Sequence, residues 1–273
     1  MEYIPLTSQE LSEEVEAIFY LKNYSPGHQT ERLIPDGHAA LVIELDGKER
    51  AIYHNETKDT IQKCQDSWFS GLYDEYLTFE VMPDSELVAV RFKPGGSFPF
   101  LSKSMHEYSN QVINGEDVFG PSITQLREAL LVENDPMNKL GRVEKYLLDR
   151  KKRSIHPTIK ETLTKILSNP SIQNIQSLVE SSGYSKKHFI QLFKQQVGLS
   201  PKLFQRIIKF QQILPKIREK KLIQWTQISY ECGYYDQAHF IRDFKRFSGY
   251  NPSAFLAEEF DRDNFFPENI DDL

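Results

Sequence analysis

A stretch near the C-terminus occurs twice, and that repeat limits what the chain can fold into more than any other feature. The first copy, SGYSKKHFIQLFKQQVGLSP, runs from Ser182 to Pro201, and the second, CGYYDQAHFIRDFKRFSGYNP, from Cys232 to Pro252. Gly183 aligns with Gly233. After one extra residue in the second copy, Tyr235, His188-Phe189 aligns with His239-Phe240, Phe193 with Phe244, Lys194 with Lys245, Gly198 with Gly249 and Pro201 with Pro252. Upstream, Ile172, Ile175 and Leu178 match Leu222, Trp225 and Ile228. A period of about fifty residues is one supersecondary unit used twice.

Each copy reads as two short helices around a tight turn. The first helix, Ile175–Ser181 or Trp225–Cys232, ends at a glycine, which tolerates the left-handed backbone that stops a helix. Ser185 and Asp236 precede the second helix and carry side-chain oxygens that can cap its free amides. Phe189, Leu192 and Phe193, and in the second copy Phe240, Phe244 and Phe247, share one inward face. Helix, glycine turn and capped helix make a helix-turn-helix.

The outward stripe decides the chemistry. Lys187, Ile190, Gln191 and Lys194 in the first copy match Ala238, Ile241, Arg242 and Lys245 in the second, position for position. Gln and Arg can form paired hydrogen bonds to base edges in a major groove, Lys reaches phosphate or guanine, and Ile or Ala can touch a thymine methyl. Base-reading candidates are therefore Lys187, Ile190, Gln191, Gln237, Ala238, Ile241 and Arg242. Phosphate candidates are Ser185, Lys186, Lys194 and Lys245. The competing reading is a pair of ordinary hairpins with solvated charged faces. Ile190 is open between sensing a thymine methyl and packing on a neighbouring helix.

The stretch from about Ile155 to Ala257 resembles the DNA-binding domain of AraC/XylS-type transcription regulators, and GYYDQAHFIRDFKRFSGYNP is similar to that family's signature. The resemblance implies a seven-helix unit that places two recognition helices in successive major-groove segments, with some DNA bending. It also implies that the connecting helix sets the spacing of the two readers and carries basic residues to phosphate, here Arg206 and Lys209. It carries no catalytic chemistry. In this chain the connecting stretch, PKLFQRIIKFQQILPKIR, contains Pro215. A proline there ends the helix at Leu214 or kinks it.

Charge is unevenly placed. The net charge is −6, yet residues 156–256 hold 15 Lys+Arg against 6 Asp+Glu, while residues 1–155 hold 17 against 26 and the last 17 residues hold 1 against 7. A basic segment in an acidic chain suits phosphate binding. The acidic tail, Glu258–Leu273, carries Phe260, Phe265 and Phe266. The basic run Arg150-Lys151-Lys152-Arg153 is either a supplement to the phosphate contacts or a solvated linker.

The first 155 residues read as mostly β. Ala17–Tyr20, Ala39–Glu44, Ala51–His54, Trp68–Leu72, Leu77–Val81 and Leu87–Phe92 are apolar or alternating runs separated by turn residues. Pro94-Gly95-Gly96 then turns the chain into a short helix. Two longer helices follow: Ser122–Val132, with Leu126, Leu130 and Leu131 on one face, and Pro136–Leu148, with Leu140, Val143 and Leu147. These helices cover the barrel or form a dimer contact. ERLIPDGHAALVIEL and VAVRFKPGGSFPF resemble the cupin-like N-terminal domain of a subset of AraC-type regulators, which implies sensing of a small molecule, dimerisation or both.

The aromatics of this region, Phe19, Tyr20, Tyr24, Tyr53, Trp68, Phe69, Tyr73, Tyr76, Phe79 and Phe92, line an apolar pocket or fill an ordinary core. His28, His38, His54 and His106 lack the spacing of metal ligands. His38 completes a turn, and Arg91 and Lys93 beside the glycines either bind an anion or, for the arginine, pair structurally with a carboxylate. Cys64 and Cys232 fall in different domains and form no framework, with Cys232 a small packed residue at a helix end. No run is long enough to span a membrane. The start of the chain lacks a leader pattern, and the expected location is cytoplasmic.

The expected fold is therefore α+β in two domains: a β-barrel or sandwich sensor with flanking helices over 1–155, an all-α DNA-binding domain over 156–257, and a tail over 258–273. The expected partners are promoter DNA, RNA polymerase, a small-molecule effector and a second copy of the chain, with no cofactor. The alternative is a ligand-binding or metalloenzyme barrel whose helical end is a protein-interaction module.

Overall fold

The structure is a computed structural model that describes residues 1–25, 28–171, 174–219 and 224–257. The aligned pair Ile172 and Leu222 and the acidic tail lie outside the described residues.

Ten strands come first: β1 Glu2–Leu6, β2 Val15–Tyr24, β3 Thr30–Leu33, β4 Ala39–Glu44, β5 Arg50–Tyr53, β6 Thr60–Cys64, β7 Ser67–Ser70, β8 Leu77–Glu80, β9 Ser85–Phe92 and β10 Val112–Asn114. They form a six-stranded sheet, β1-β2-β9-β4-β7-β10, and a four-stranded sheet, β3-β8-β5-β6. The antiparallel register puts Ile18, Val90, Leu41 and Phe69 in one cross-strand row and Phe19, Ala89, Val42 and Trp68 in the next. Because side chains alternate across a sheet, these rows face opposite sides. The second row packs with Ile52, Tyr73 and Leu77 in a core that also takes in the small sheet. The first packs with helices α2, Ser122–Val132, and α3, Pro136–Arg150, through Leu126, Leu130, Leu140, Val143 and Leu147.

The six expected strands are all present. β1, β3, β6 and β10 were not legible, because they are short, polar or edge strands with weak alternation. Leu131 does not share the buried face expected for it. It is 45% exposed, while Leu126 and Leu130 face the sheet. Seven of the ten aromatics pack in the two cores, while Tyr24, Tyr53 and Tyr76 belong to neither. Past Pro94-Gly95-Gly96, Phe98–Phe100 is a short 3-10 turn, a second one covers Met105–Tyr108, and α1 follows at Gly115–Phe119.

Eight more helices follow: α4 Pro157–Ser168, α5 Ile175–Ser182, α6 Lys186–Val197, α7 Pro201–Gln211, α8 Ile213–Glu219, α9 Trp225–Glu231, α10 Gln237–Ser248 and α11 Pro252–Ala257. Ile159, Leu163 and Ile166 of α4 are buried, as their spacing requires. The interruption near Pro215 lies earlier than the sequence suggested. α7 stops at Gln211, and Pro215 sits near the start of α8. A missing amide costs least there, since first-turn amides have no partner within the helix.

The outer core of the large sheet is continuous with the helical core, from Phe92 and Phe100 through Ile159, Phe189 and Phe204 to Phe244. Specific contacts cross the same seam. His106 Nδ1 and Ser109 Oγ both donate to Gly198 O, at 3.0 and 2.9 Å. Gln211 Nε2 donates to Pro35 O at 2.7 Å. Arg246 donates to the Asp74 carboxylate at 2.6 Å and to its carbonyl at 2.7 Å. Arg32 lies between the rings of Tyr76 and Tyr250, at 4.9 and 4.3 Å.

In the basic run Arg150–Arg153, three of the four side chains have partners in the β-domain, while Lys152 is exposed. Arg150 donates to Phe100 O and stacks on Phe119, Lys151 pairs with Glu14 at 2.8 Å, and Arg153 donates to Leu101 O and Lys103 O over the Phe98 ring. The run fastens the connection to the β-domain.

Candidate nucleic-acid interface

Both repeats fold as helix, turn and capped helix. α5 ends at Gly183, with φ +70°, and α9 is followed by Gly233, with φ +74°. Ser185 Oγ accepts from His188 N at 3.3 Å, and Asp236 Oδ1 accepts from His239 N at 2.7 Å. Phe189, Phe193, Phe240, Phe244 and Phe247 are fully buried. Cys232 is also fully buried at the end of α9.

With that face inward, the opposite face is left to solvent. Lys186, Lys187 and Gln191 on α6 are exposed, and so are Gln237, Ala238, Ile241, Arg242 and Lys245 on α10. Lys194 is half-buried. Ile190 is half-buried and packs on the core, which favours its packing reading. Tyr235, the extra residue of the second copy, is 90% exposed in the turn before α10. It belongs with the surface candidates, and its only sequence signal was that insertion.

Three of the phosphate candidates have partners within the protein. Ser185 Oγ accepts at the helix cap, which leaves its exposed hydroxyl proton free to donate. Arg206 forms a forked ion pair with Asp243, its Nε 3.0 Å from Oδ2 and its NH2 on Oδ1. Asp243 is fully buried, and both of its carboxylate oxygens hold this guanidinium. Lys209 Nζ donates to Gly233 O at 3.2 Å, and burial lowers its pKa, with Asp243 acting in the opposite sense.

In the β-domain, Arg91 pairs with Glu16 at 2.5 Å and Asp36 at 2.9 Å, and His38 donates its backbone amide to Asp36 Oδ1. These groups rim a narrow cleft whose walls include Phe19, Leu33, Ala40, Ser70 and Ala89. Burial opposes ionisation of Asp36, but His38 and Arg91 outweigh it and hold the carboxyl at about 2. At the far end of β4, burial raises the Glu44 carboxyl to about 7, against the pull of Arg50 and Trp68. Among the described residues, no group of three His, Cys, Asp or Glu side chains converges as a metal site. No described helix is long and apolar enough to cross a membrane.

Residues 178–258 match the family described as "Helix-turn-helix domain". The C-terminal domain is a helix-turn-helix domain. It follows residues 2–114, which match "Domain of unknown function (DUF6597)". An "Uncharacterized HTH-type transcriptional regulator" of Haemophilus influenzae is 30% identical over 94 residues. That match takes in 34% of this chain and 31% of the relative, so the chain spans about a third of the length of the curated relative it matches. The fold also aligns with crystal structures of ToxT from Vibrio cholerae. One, bound to (E)-4-(8-methylnaphthalen-1-yl)but-3-enoic acid, has TM-score 0.45 at 12% identity, covering 87% of this chain and 98% of that one. Another, from strain O395, has TM-score 0.42 at 11% identity, covering 87% and 97%.

Proposed function

We propose that the chain is a sequence-specific DNA-binding transcription regulator whose helices α6 and α10 read successive major-groove segments. One observation carries the reading: outward side chains at matched positions, Lys187 and Gln191 on one helix and Ala238 and Arg242 on the other, with Ile241 exposed beside them, recur on two capped helices whose opposite faces are sealed by phenylalanine. Such side chains can pair with base edges and thymine methyls. Lys186, Lys194 and Lys245 supply phosphate contacts, and RNA polymerase is the partner recruited at the promoter.

We assign residues 1–155 to small-molecule control and dimer formation and residues 156–257 to DNA. The Pro35–Gly37 loop, beside the Arg91 cleft, touches α7 through Gly37 and through the Pro35 carbonyl, and so links the β-domain to the helix between the two reading units.

The test is binding of the full chain to duplex DNA across a salt series. Affinity should fall steeply with salt, since each neutralised phosphate releases counterions. Arg242→Ala should cost roughly 1–3 kcal/mol on a cognate duplex and relax preference at one base position. Equal affinities of this variant and the parent for both cognate and scrambled duplexes would remove Arg242 from the reading set.

A further inference from the structure

We propose that Arg206 is a positioning residue for base reading. Together with Asp243 it fixes the rotation of α10 on α7, and so decides which α10 side chains meet a groove. The proposal rests on the DNA-binding reading above.

Asp243 directly follows Arg242, about 100° round the helix from it. It is fully buried. Both of its carboxylate oxygens are taken by one guanidinium from α7, and this forked geometry permits one alignment. His239, one turn earlier on α10, brings Nε2 to 3.8 Å from Oδ2. The buried Tyr234 ring stands edge-on to both His239 and Phe240, and burial followed by the Asp243 charge raises its phenol pKa. Lys209, three residues along α7, holds the turn through the Gly233 carbonyl. One side of α7 therefore grips the second unit at its turn and at its reading helix.

Among the described residues, the first unit shows no such pair. The position aligned with Asp243 is Leu192, which packs half-buried on the core. The difference follows from the chain path. α6 is joined to α7 by only Gly198–Ser200, whereas α7 stops at Gln211 and the second unit begins beyond that break. No continuous helix sets the angle of α10, so side chains must set it. A buried ion pair is a poor source of net stability, because well-packed apolar groups of similar volume often do as well. What it adds over leucine is direction. A reading surface must be held within about 0.5 Å and 10–20° to work.

The experiment uses the full chain, the double variant Arg206→Met/Asp243→Leu and the single variant Arg206→Lys. Each is taken through selection from duplexes randomised over about two helical turns, then titrated against the enriched duplex at several salt concentrations, with thermal melts alongside. The parent should enrich a two-part sequence. The double variant should keep the part read by α6, lose roughly tenfold on the part read by α10, and show an unchanged salt slope. Arg206→Lys keeps the charge but not the fork, and should show the same loss in smaller degree. It decides the question alone if the double variant does not fold.

A salt slope reduced by about one in Arg206→Met/Asp243→Leu would make Arg206 a phosphate contact and overturn the proposal. So would retention of both parts at full strength by a folded variant. A parent that enriches no sequence would instead sink the DNA-binding reading, and the proposal with it, before any variant is compared.

Discussion

Arginines in this chain carry one charge and do different work according to what surrounds them. Arg242 is exposed on α10, Arg206 is bound to a buried carboxylate, and Arg32 is held between two tyrosine rings. Sequence spacing separates none of these, because it records which residues share a helix face but not what the next element places opposite. Glycine gives the converse case. Gly37 has φ +86°, and a Cβ there would meet Phe204 at 2.8 Å and Ile208 at 3.2 Å. Gly37→Ala should therefore lower stability by about 2–4 kcal/mol, combining left-handed strain with overpacking, as read by a thermal or urea melt. Asp36 sets an acid limit. Its folded pKa of about 2 lies below its ordinary 3.8, despite burial, because of His38 and Arg91. The stability it contributes, about 2 kcal/mol, is present above pH 3.8 and lost as pH falls toward 2. Melts of Asp36→Asn and the parent should converge over that interval; a constant gap would contradict the assignment.

At the scale of elements, the linker segment departs most from expectation. Pro215 announced an interruption, but not where it falls. The helix ends earlier, at Gln211, where Gln211 reaches the Pro35 carbonyl and so contributes to the β-domain contact. Proline in a helix interior costs about 3 kcal/mol, whereas near a helix start it costs little. Pro215→Ala should therefore change stability by less than about 1 kcal/mol in chemical denaturation. A gain of the full interior amount would mean that α7 and α8 form one strained helix.

At the scale of the whole molecule, the β-domain touches both reading units: the first through His106 and Ser109 on Gly198, the second through Asp74 on Arg246 and Arg32 on Tyr250. Arg150, Lys151 and Arg153 of the basic run belong to this framework. Arg153→Ala should cost about 1–3 kcal/mol through the lost Phe98 stacking and carbonyl bonds, with no change in the salt slope of DNA binding. A shallower slope with an unchanged melt would return Arg153 to the phosphate set.

The helix-turn-helix repeat was legible because its determinants are local. Glycine at the turn, Ser185 and Asp236 at the caps, and phenylalanines three and four apart act within a dozen residues of one another. Six strands were legible for the same reason, and so was the outward stripe from Lys187 to Arg242. The commitments of Arg206, Lys209 and Arg153, the exposure of Leu131 and the grip of the Pro35–Gly37 loop on α7 were not. Each depends on a partner distant in sequence, and only the packing of one element on another brings such partners within reach.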